Sequence, residues 1–446
     1  MKKKIWIITL LVFGGVCGHA QETDKVKTVN IAGIDQDVKE STASISLISG
    51  EDLTKRSAKN VTNSLFGYGL GLTALQNSGS YSSQEPTLYI RGLQTLSSST
   101  PLMLVDGIER DITLVTSEEV ESVQILKDAA AVALYGYKGA NGVINIITKR
   151  GKYNTKEIKF TFDHLINWEV RRPEFADAYT YASAINEAYA NDGIRKPRYH
   201  EYEMNAFKTG AYPQYYPNVN WVDEVFKDAA ATNIANMSLR GGGSKFRYFA
   251  MFNWVTDNGF IANAKANDGY STQNKSSKAN LRTNLDIDLT PSTKMTLNLL
   301  GTLAETNKPG DSADLWSMIY SLPATAFPVK TENGLWGGNT TWDGTKNPVA
   351  QSQAAAYTKG HNRSLYADMT LKQDLSSILP GLGVGFMLAY DNWASYVENH
   401  SKTYRYGSDN VQWKSGKPVP VSQYTAGTES EMNTGSELSA WKRNFN

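Results

Sequence analysis

Through the second two thirds of the chain, apolar residues fall at every other position in runs of about ten. Leu281, Thr283, Leu285, Ile287 and Leu289 alternate with Arg282, Asn284, Asp286 and Asp288. Phe246, Tyr248, Ala250, Phe252 and Trp254 alternate with Arg247, Phe249, Met251 and Asn253. Leu365, Ala367, Met369 and Leu371 alternate with Tyr366, Asp368, Thr370 and Lys372. Leu382, Val384, Phe386, Leu388 and Tyr390 alternate with Gly383, Gly385, Met387, Ala389 and Asp391. A period of two makes each run a strand with one apolar face. A soluble sandwich strand has about five or six residues; these runs have the ~9–11 that a tilted strand needs to cross a bilayer. With further runs at 158–168, 233–240 and 294–299, the pattern predicts about seven strands.

The connections alternate in length. Gly241, Gly242, Gly243 and Ser244 join one pair, Thr290, Pro291, Ser292 and Thr293 a second, and residues 377–381 a third. A long polar and aromatic stretch precedes the first pair, ending near 232, and others separate the pairs, ending near 278 and 362. Short turns on the periplasmic side and long loops outside are the rhythm of an outer-membrane barrel. In lipid every backbone N–H and C=O must be paired, so such strands require closure.

Residues 41–151 read differently, as mixed α/β. Ser44 to Ile48, Leu88 to Ile90, Leu102 to Val105, Val120 to Leu126 and Val143 to Ile147 predict strands. Short helices are expected over 60–65 and, Ala-rich, over 127–135; Ser49 is a plausible N-cap with Asp52 three residues on. Asp106-Gly107 and Asn141-Gly142 are turn signals.

Three further features fix the compartment and remove function classes. Lys2, Lys3 and Lys4, then twelve apolar residues from Ile5 to Val16, then Gly18-His19-Ala20 predict a secretory leader over 1–20. Its removal takes three lysines and the one cysteine, Cys17. The whole chain of 446 residues has 45 Lys+Arg against 44 Asp+Glu, so the mature chain carries 42 against 44. That balance excludes a protein held to nucleic acid mainly by charge, and no disulfide framework or Cys-based metal site is possible. His19, His164, His200, His361 and His400 sit at no metal-ligand spacing, and no Ser or Cys nucleophile pairs with them. The glycine clusters at 67–71 and 241–243 lack the Lys-Ser/Thr of a phosphate loop. The chain is therefore expected to be no enzyme, with no catalytic residue, metal or cofactor. Tyr212, Tyr215, Tyr216, Trp221, Trp316, Trp336 and Trp342 in the long stretches suit either stacking on a substrate or loop packing.

The stretches Leu88-Tyr89-Ile90-Arg91-Gly92, Pro101-Leu102-Met103-Leu104-Val105-Asp106-Gly107, Val120 to Ala130, and Lys138 to Lys149 resemble the plug of TonB-dependent outer-membrane transporters, specifically the SusC/RagA family. Asn218-Val219-Asn220-Trp221 is similar to that family's early barrel, and the resemblance runs over residues 41–300. It implies an α/β plug followed by antiparallel transmembrane β-barrel strands, about the first third of a barrel of ~22. The implied domains are a leader (1–20), a flexible segment with a TonB box (21–40), the plug (41–151) and barrel with extracellular loops (152–446). An incomplete barrel is expected, because an open sheet of seven strands leaves edges unpaired in lipid.

In the plug, Arg91, Gly92, Asp106, Gly107, Lys127, Asp128, Gly136, Asn141 and Gly142 are expected to be structural. The glycines serve turns or close approaches. Arg91, Lys127 and Asp128 are placed to pair with charges on the lumen wall. The TonB box, which pairs with TonB by strand addition, is sought in Lys25, Val26, Lys27, Thr28, Val29, Asn30 and Ile31. The resemblance implies import of a nutrient, a glycan oligomer or peptide, across the outer membrane. Its implied partners are a SusD-like surface lipoprotein and the TonB–ExbB–ExbD complex. A receptor for a metal chelate or vitamin, and a non-transporting surface adhesin or hydrolase, are the alternatives.

Overall fold

The alternating runs assemble into one antiparallel sheet of eight strands in chain order. They are Lys156–Trp168, Ala229–Gly242, Phe246–Asn258, Lys275–Thr290, Thr293–Pro309, Tyr357–Asp374, Gly383–Ser401 and Asn433–Phe445. The computed structural model describes residues 28–31, 34–37, 43–76, 85–95, 98–267, 269–310 and 314–445. The leader and Lys25, Val26 and Lys27 lie outside the described residues. The sheet is open, with Lys156–Trp168 and Asn433–Phe445 at its edges.

Its two faces are inverted relative to a soluble sheet. Phe160, Phe252, Leu281, Leu303, Leu365, Phe386 and Trp441 are exposed on one side. Asn236, Asn253, Asn280, Arg282, Asn284, Asp368 and Asp391 are buried on the other. Cross-strand pairing joins like with like: Asn253 opposite Asn280, Asn280 opposite Thr302, and Thr302 opposite Ser364. The buried face needs polar partners or the desolvation of these amides goes uncompensated. A second domain supplies them.

That domain is a five-stranded mixed sheet in the order Ile45–Ser49, Val120–Leu126, Val143–Thr148, Leu102–Val105 and Ile108–Glu109. Its apolar residues, among them Leu53, Leu65, Val123, Ile125, Ile144 and Ile146, form one core without solvent contact. Helix Gly50–Thr54 starts at Ser49, whose Oγ accepts from the Glu51 N–H at 3.2 Å. Asp52 is taken up by Lys55 Nζ at 2.6 Å. Helix Val61–Ser64 is capped by Asn60, whose Oδ1 accepts from the Asn63 N–H at 3.1 Å. The Ala-rich segment is shorter in helix than its composition predicts: only Ala129–Val132 is α-helical, followed by 3₁₀ turns over Ala133–Gly139. Gly136, at φ +58°, breaks the regular geometry there.

Two findings depart from the sequence reading. The sheet has eight strands, not about seven; Asn433–Phe445, which reads as loop, is the eighth. Residues 21–40 are not flexible throughout: Thr28–Ile31 pairs antiparallel with Ile34–Asp37. The Val29 side chain is fully buried in a cluster with Leu104, Leu126 and Val143.

The long connections carry cores of their own. Trp221, Val225, Ile261, Leu315, Ile319 and Phe327, drawn from three separate loops, form one. Helices Ala178–Asn191 and Glu201–Thr209 form another with Tyr216, against which Trp413 of a loop hairpin packs. Most of the aromatics considered for stacking on substrate are spent here. Trp221 meets Phe327 at 5.3 Å, Trp316 stacks on Phe226 at 4.8 Å, and Tyr212 and Tyr216 surround Trp413.

Gly142 marks where the plug tolerates least. Its φ is +87°, and an added Cβ would lie 2.7 Å from Ile90 Cδ1 and 2.9 Å from the Leu126 carbonyl oxygen. Gly142→Val should therefore cost about 1–3 kcal/mol from backbone strain, with the steric clash added. Urea unfolding of the plug in the full-length protein measures it; a midpoint equal to wild type would refute the constraint.

Candidate functional site

The chemistry of this chain is concentrated where plug meets wall. Arg110 follows the short strand Ile108–Glu109 and points into the wall. Its Nη1 donates to Asp368 Oδ1 at 2.5 Å, and its Nε and Nη2 donate to Asp391 Oδ1 at 3.1 and 2.8 Å. All three side chains are nearly inaccessible, at 4%, 2% and 8% exposure. The guanidinium also sits 5.3 Å from the centre of the Tyr366 ring. Burial opposes the charge on Arg110, but hydrogen bonds and charges from Asp391 and Asp368 outweigh it and raise its pKa. Arg110 is thus a fixed cation.

From Asp368 the network runs on across the interface. Asp368 Oδ2 accepts from Asn298 Nδ2 at 2.6 Å, and Asn298 Oδ1 accepts from Arg150 Nη1 at 2.6 Å. Arg150 reaches Asp286 at 3.4 Å, and Asp286 also accepts from Arg247 Nε at 2.8 Å. Further contacts flank this line. Glu119 pairs with Arg282, both buried, and Lys59 pairs with Asp257. Asn284 Nδ2 donates to Thr148 Oγ1 and to the Lys149 carbonyl, each at 2.8 Å. Asn280 Nδ2 donates to the Leu114 carbonyl at 2.8 Å. Burial lowers the pKa of Lys149, whose Nζ donates to the Glu118 carbonyl at 2.8 Å.

This changes the assignment of wall contacts. Arg91, Lys127 and Asp128, expected to face charges on the wall, bond within the plug. Arg91 Nη2 reaches Ser44 Oγ at 3.5 Å. Lys127 Nζ donates to Ser46 Oγ at 2.8 Å and to the Leu70 carbonyl at 3.1 Å. Asp128 Oδ2 accepts from the Ser44 N–H at 2.8 Å. All three lie at the sheet end that holds Ser44 and Leu126, whereas the wall is approached at the Val120 and Thr148 end. The charged residues that do reach the wall, among them Lys59, Arg110, Glu118, Glu119, Glu121 and Arg150, were not singled out from sequence. The available signal was on the other side: Arg282, Asp286, Asp368 and Asp391 are charges on the polar face of membrane-length strands.

The other plug positions have defined local places. Asp106 accepts from the Thr148 N–H at 2.9 Å and from Thr148 Oγ1 at 2.7 Å. Asp106 and Gly107, at φ +50° and +85°, make the two-residue turn between Leu102–Val105 and Ile108–Glu109. Gly92 is at φ +83°. Asn141 Nδ2 donates to the Ser98 carbonyl at 2.9 Å. Of the TonB-box segment, Thr28, Val29, Asn30 and Ile31 form the strand paired with Ile34–Asp37. Beside Arg110 a space of ≈ 680 Å³ opens between plug and wall, lined by both charge signs and rings, including Glu109, Lys138, Tyr366, Trp393 and Lys442.

Residues 37–143 match the family model described as "TonB-dependent Receptor Plug Domain". TonB-dependent receptor P3 of Formosa agariphila is 24% identical over 317 residues, covering 69% of this chain and 28% of the relative. TonB-dependent receptor SusC of Bacteroides thetaiotaomicron is 26% identical over 258 residues, covering 54% and 23%. The chain thus spans under a third of the length of these curated relatives. Among solved structures, the RagAB peptide transporter matches with a TM-score of 0.55 at 19% identity, over 81% of this chain and 45% of that one. Its open-open state gives 0.57 at 18%, over 85% and 47%. A plug packed on the polar face of a sheet of membrane-length strands, the plug-domain match over residues 37–143 and these likenesses together make the chain similar to SusC/RagA-type TonB-dependent receptors.

Proposed function

We propose that this chain is the plug and the N-terminal barrel wall of a transporter that imports a glycan oligomer or peptide across the outer membrane. The observation that carries this is the buried, ion-paired contact between plug and polar wall. A wall whose inner face is satisfied by a removable domain is a closed gate, not a stable scaffold. The space beside Arg110, lined by both signs of charge and by rings, suits an oligomer with hydroxyl or amide groups. Transport of this kind involves no covalent step. The likeness to SusC and to a RagAB peptide transporter supports a SusD-like surface lipoprotein as partner. Residues 1–20 act as the cleaved leader to the outer membrane, 41–151 as plug and 152–446 as wall.

The driving force enters at residues 25–31. Thr28–Ile31 is already extended and pairs on one side only, with Ile34–Asp37. Its other edge has no strand partner among the described residues, and strand addition by TonB there couples the plug to the TonB–ExbB–ExbD complex. Deleting residues 24–31 from the full-length protein should reduce uptake to background while outer-membrane levels stay normal. Growth on the oligosaccharide or peptide as sole source, compared with a strain lacking TonB, measures this. Unchanged growth of the deletion would reject the assignment.

A further inference from the structure

The outward face of the wall has a gap between two leucines. Gly301 faces out between Leu281 and Leu365, its partners on the two neighbouring strands. An added Cβ there meets nothing within 4 Å. The gap is part of a groove of ≈ 410 Å³ walled by Phe252, Leu281, Leu303 and Leu365. Arg363 and Asn392 also line it. Arg363 lies two residues nearer the long-loop end of its strand than Leu365. It is exposed and has no ion pair among the described residues.

Register gives Arg363 its neighbours across the sheet. Trp254, Ala279, Leu303, Arg363, Ala394 and Trp441 form one continuous row of paired residues. Trp254 and Trp441 are about half exposed on this face. Tryptophans with an apolar body and a polar N–H are enriched near the boundary between acyl chains and headgroups, and this row, inclined by the ~35–45° tilt of barrel strands, crosses the face obliquely. Beyond this row, toward the long loops, Lys275 and Lys359 flank Asn307 in another, and both are exposed. The acids on this face, Glu305 and Glu398, each lie 3.5 Å from His361; Glu398 stands opposite Lys359 in register, and neither acid forms an ion pair with Arg363 or Lys275 among the described residues.

We propose that the groove is a binding site for an anionic membrane lipid. One acyl chain lies over Gly301, and the headgroup phosphate meets Arg363, with Lys359 and Lys275 beyond it. A guanidinium bonds phosphate through two parallel N–H donors, and a long cationic side chain at a membrane boundary reaches its head out to the interface. The inference rests on the wall being membrane-inserted.

The test uses purified full-length protein in detergent, with dioleoylphosphatidylglycerol or dioleoylphosphatidylcholine added, and native mass spectrometry to count retained lipid. Wild type should retain the glycerol lipid over the choline lipid. Arg363→Glu should lower that retention about tenfold, the loss of one charge-assisted contact. Gly301→Leu, whose Cβ meets nothing within 4 Å and whose side chain occupies the groove, should lower it comparably. Heat-modifiability of each variant reports insertion of the wall separately. Equal retention of the two lipids by wild type, or retention unchanged in either variant with insertion intact, would overturn the site and leave the transport reading standing.

Discussion

Replacing Arg110 with alanine in the full-length protein should loosen the plug from the wall by about 3–5 kcal/mol, the cost of breaking a buried ion pair on one side. The size follows from what is left behind. Asp368 and Asp391 would face one another at 2% and 8% exposure with no cation between them. Asn298 would still serve one oxygen of Asp368, but Asp391 would lose both of its contacts with the guanidinium, from Nε and from Nη2. Urea titration followed by a fluorophore on the plug measures the shift. Arg110→Lys should fall between, since it keeps the charge and loses the fork that reaches both carboxylates. Adding Asp368→Asn and Asp391→Asn to the alanine variant should recover part of the loss, because two neutral amides remain in place of two buried charges. A shift within ~0.5 kcal/mol of wild type, the range of ordinary surface changes, would show that this triad does not hold the plug.

The wall was legible in the sequence because one physical constraint writes it. Lipid on one side and polar plug on the other force a period of two over some ten residues, as in Phe246 to Trp254. Legibility ends where that constraint ends. Tyr357–Asp374 and Lys275–Thr290 extend several residues beyond their apolar runs, into the region of Lys275, Lys359 and His361, where both faces are polar. Asn433–Phe445 was missed for a different reason. The register slips at Ser439, so Tyr396 faces Leu438 while Ser395 faces Ala440. The outward residues Leu438 and Trp441 are thereby three apart, and the period of two is broken at the one place that would have shown it.

The plug–wall contacts were hidden by sequence distance. Arg110 meets Asp368 and Asp391 across 258 and 281 positions. Nothing local to Arg110 distinguishes it from Arg91, which bonds within the plug. Turn glycines and N-caps could be read because their cause lies within a few residues. The partner of a charge on a plug surface is chosen by how two finished domains fit. The same holds for the loop cores: Trp221 and Phe327 are apolar residues in polar surroundings, and only assembly of the loops gives them a common interior.

Two adjacent residues provide the sharpest test that this sheet stands in lipid. Met387 and Leu388 are equally accessible, at 49% and 48%. They point to opposite faces: Leu388 pairs with Met369 on the apolar side, and Met387 pairs with Thr370 on the side that carries Ala389 and Asp391 to the plug. In water, arginine at either position would cost about the same, because exposure is the same. In a bilayer the two part company. Leu388→Arg places a guanidinium among acyl chains near the middle of an outward run from Val384 to Ala394, and should cost about 2–4 kcal/mol in a barrel folded into phospholipid vesicles. Met387→Arg opens onto the polar lumen and should stay within ~0.5 kcal/mol of the parent. Denaturant titration of the full-length protein refolded into vesicles gives both numbers. Equal losses at the two positions would mean that water lies on both sides of this sheet, and neither a membrane wall nor a transport path would survive that result.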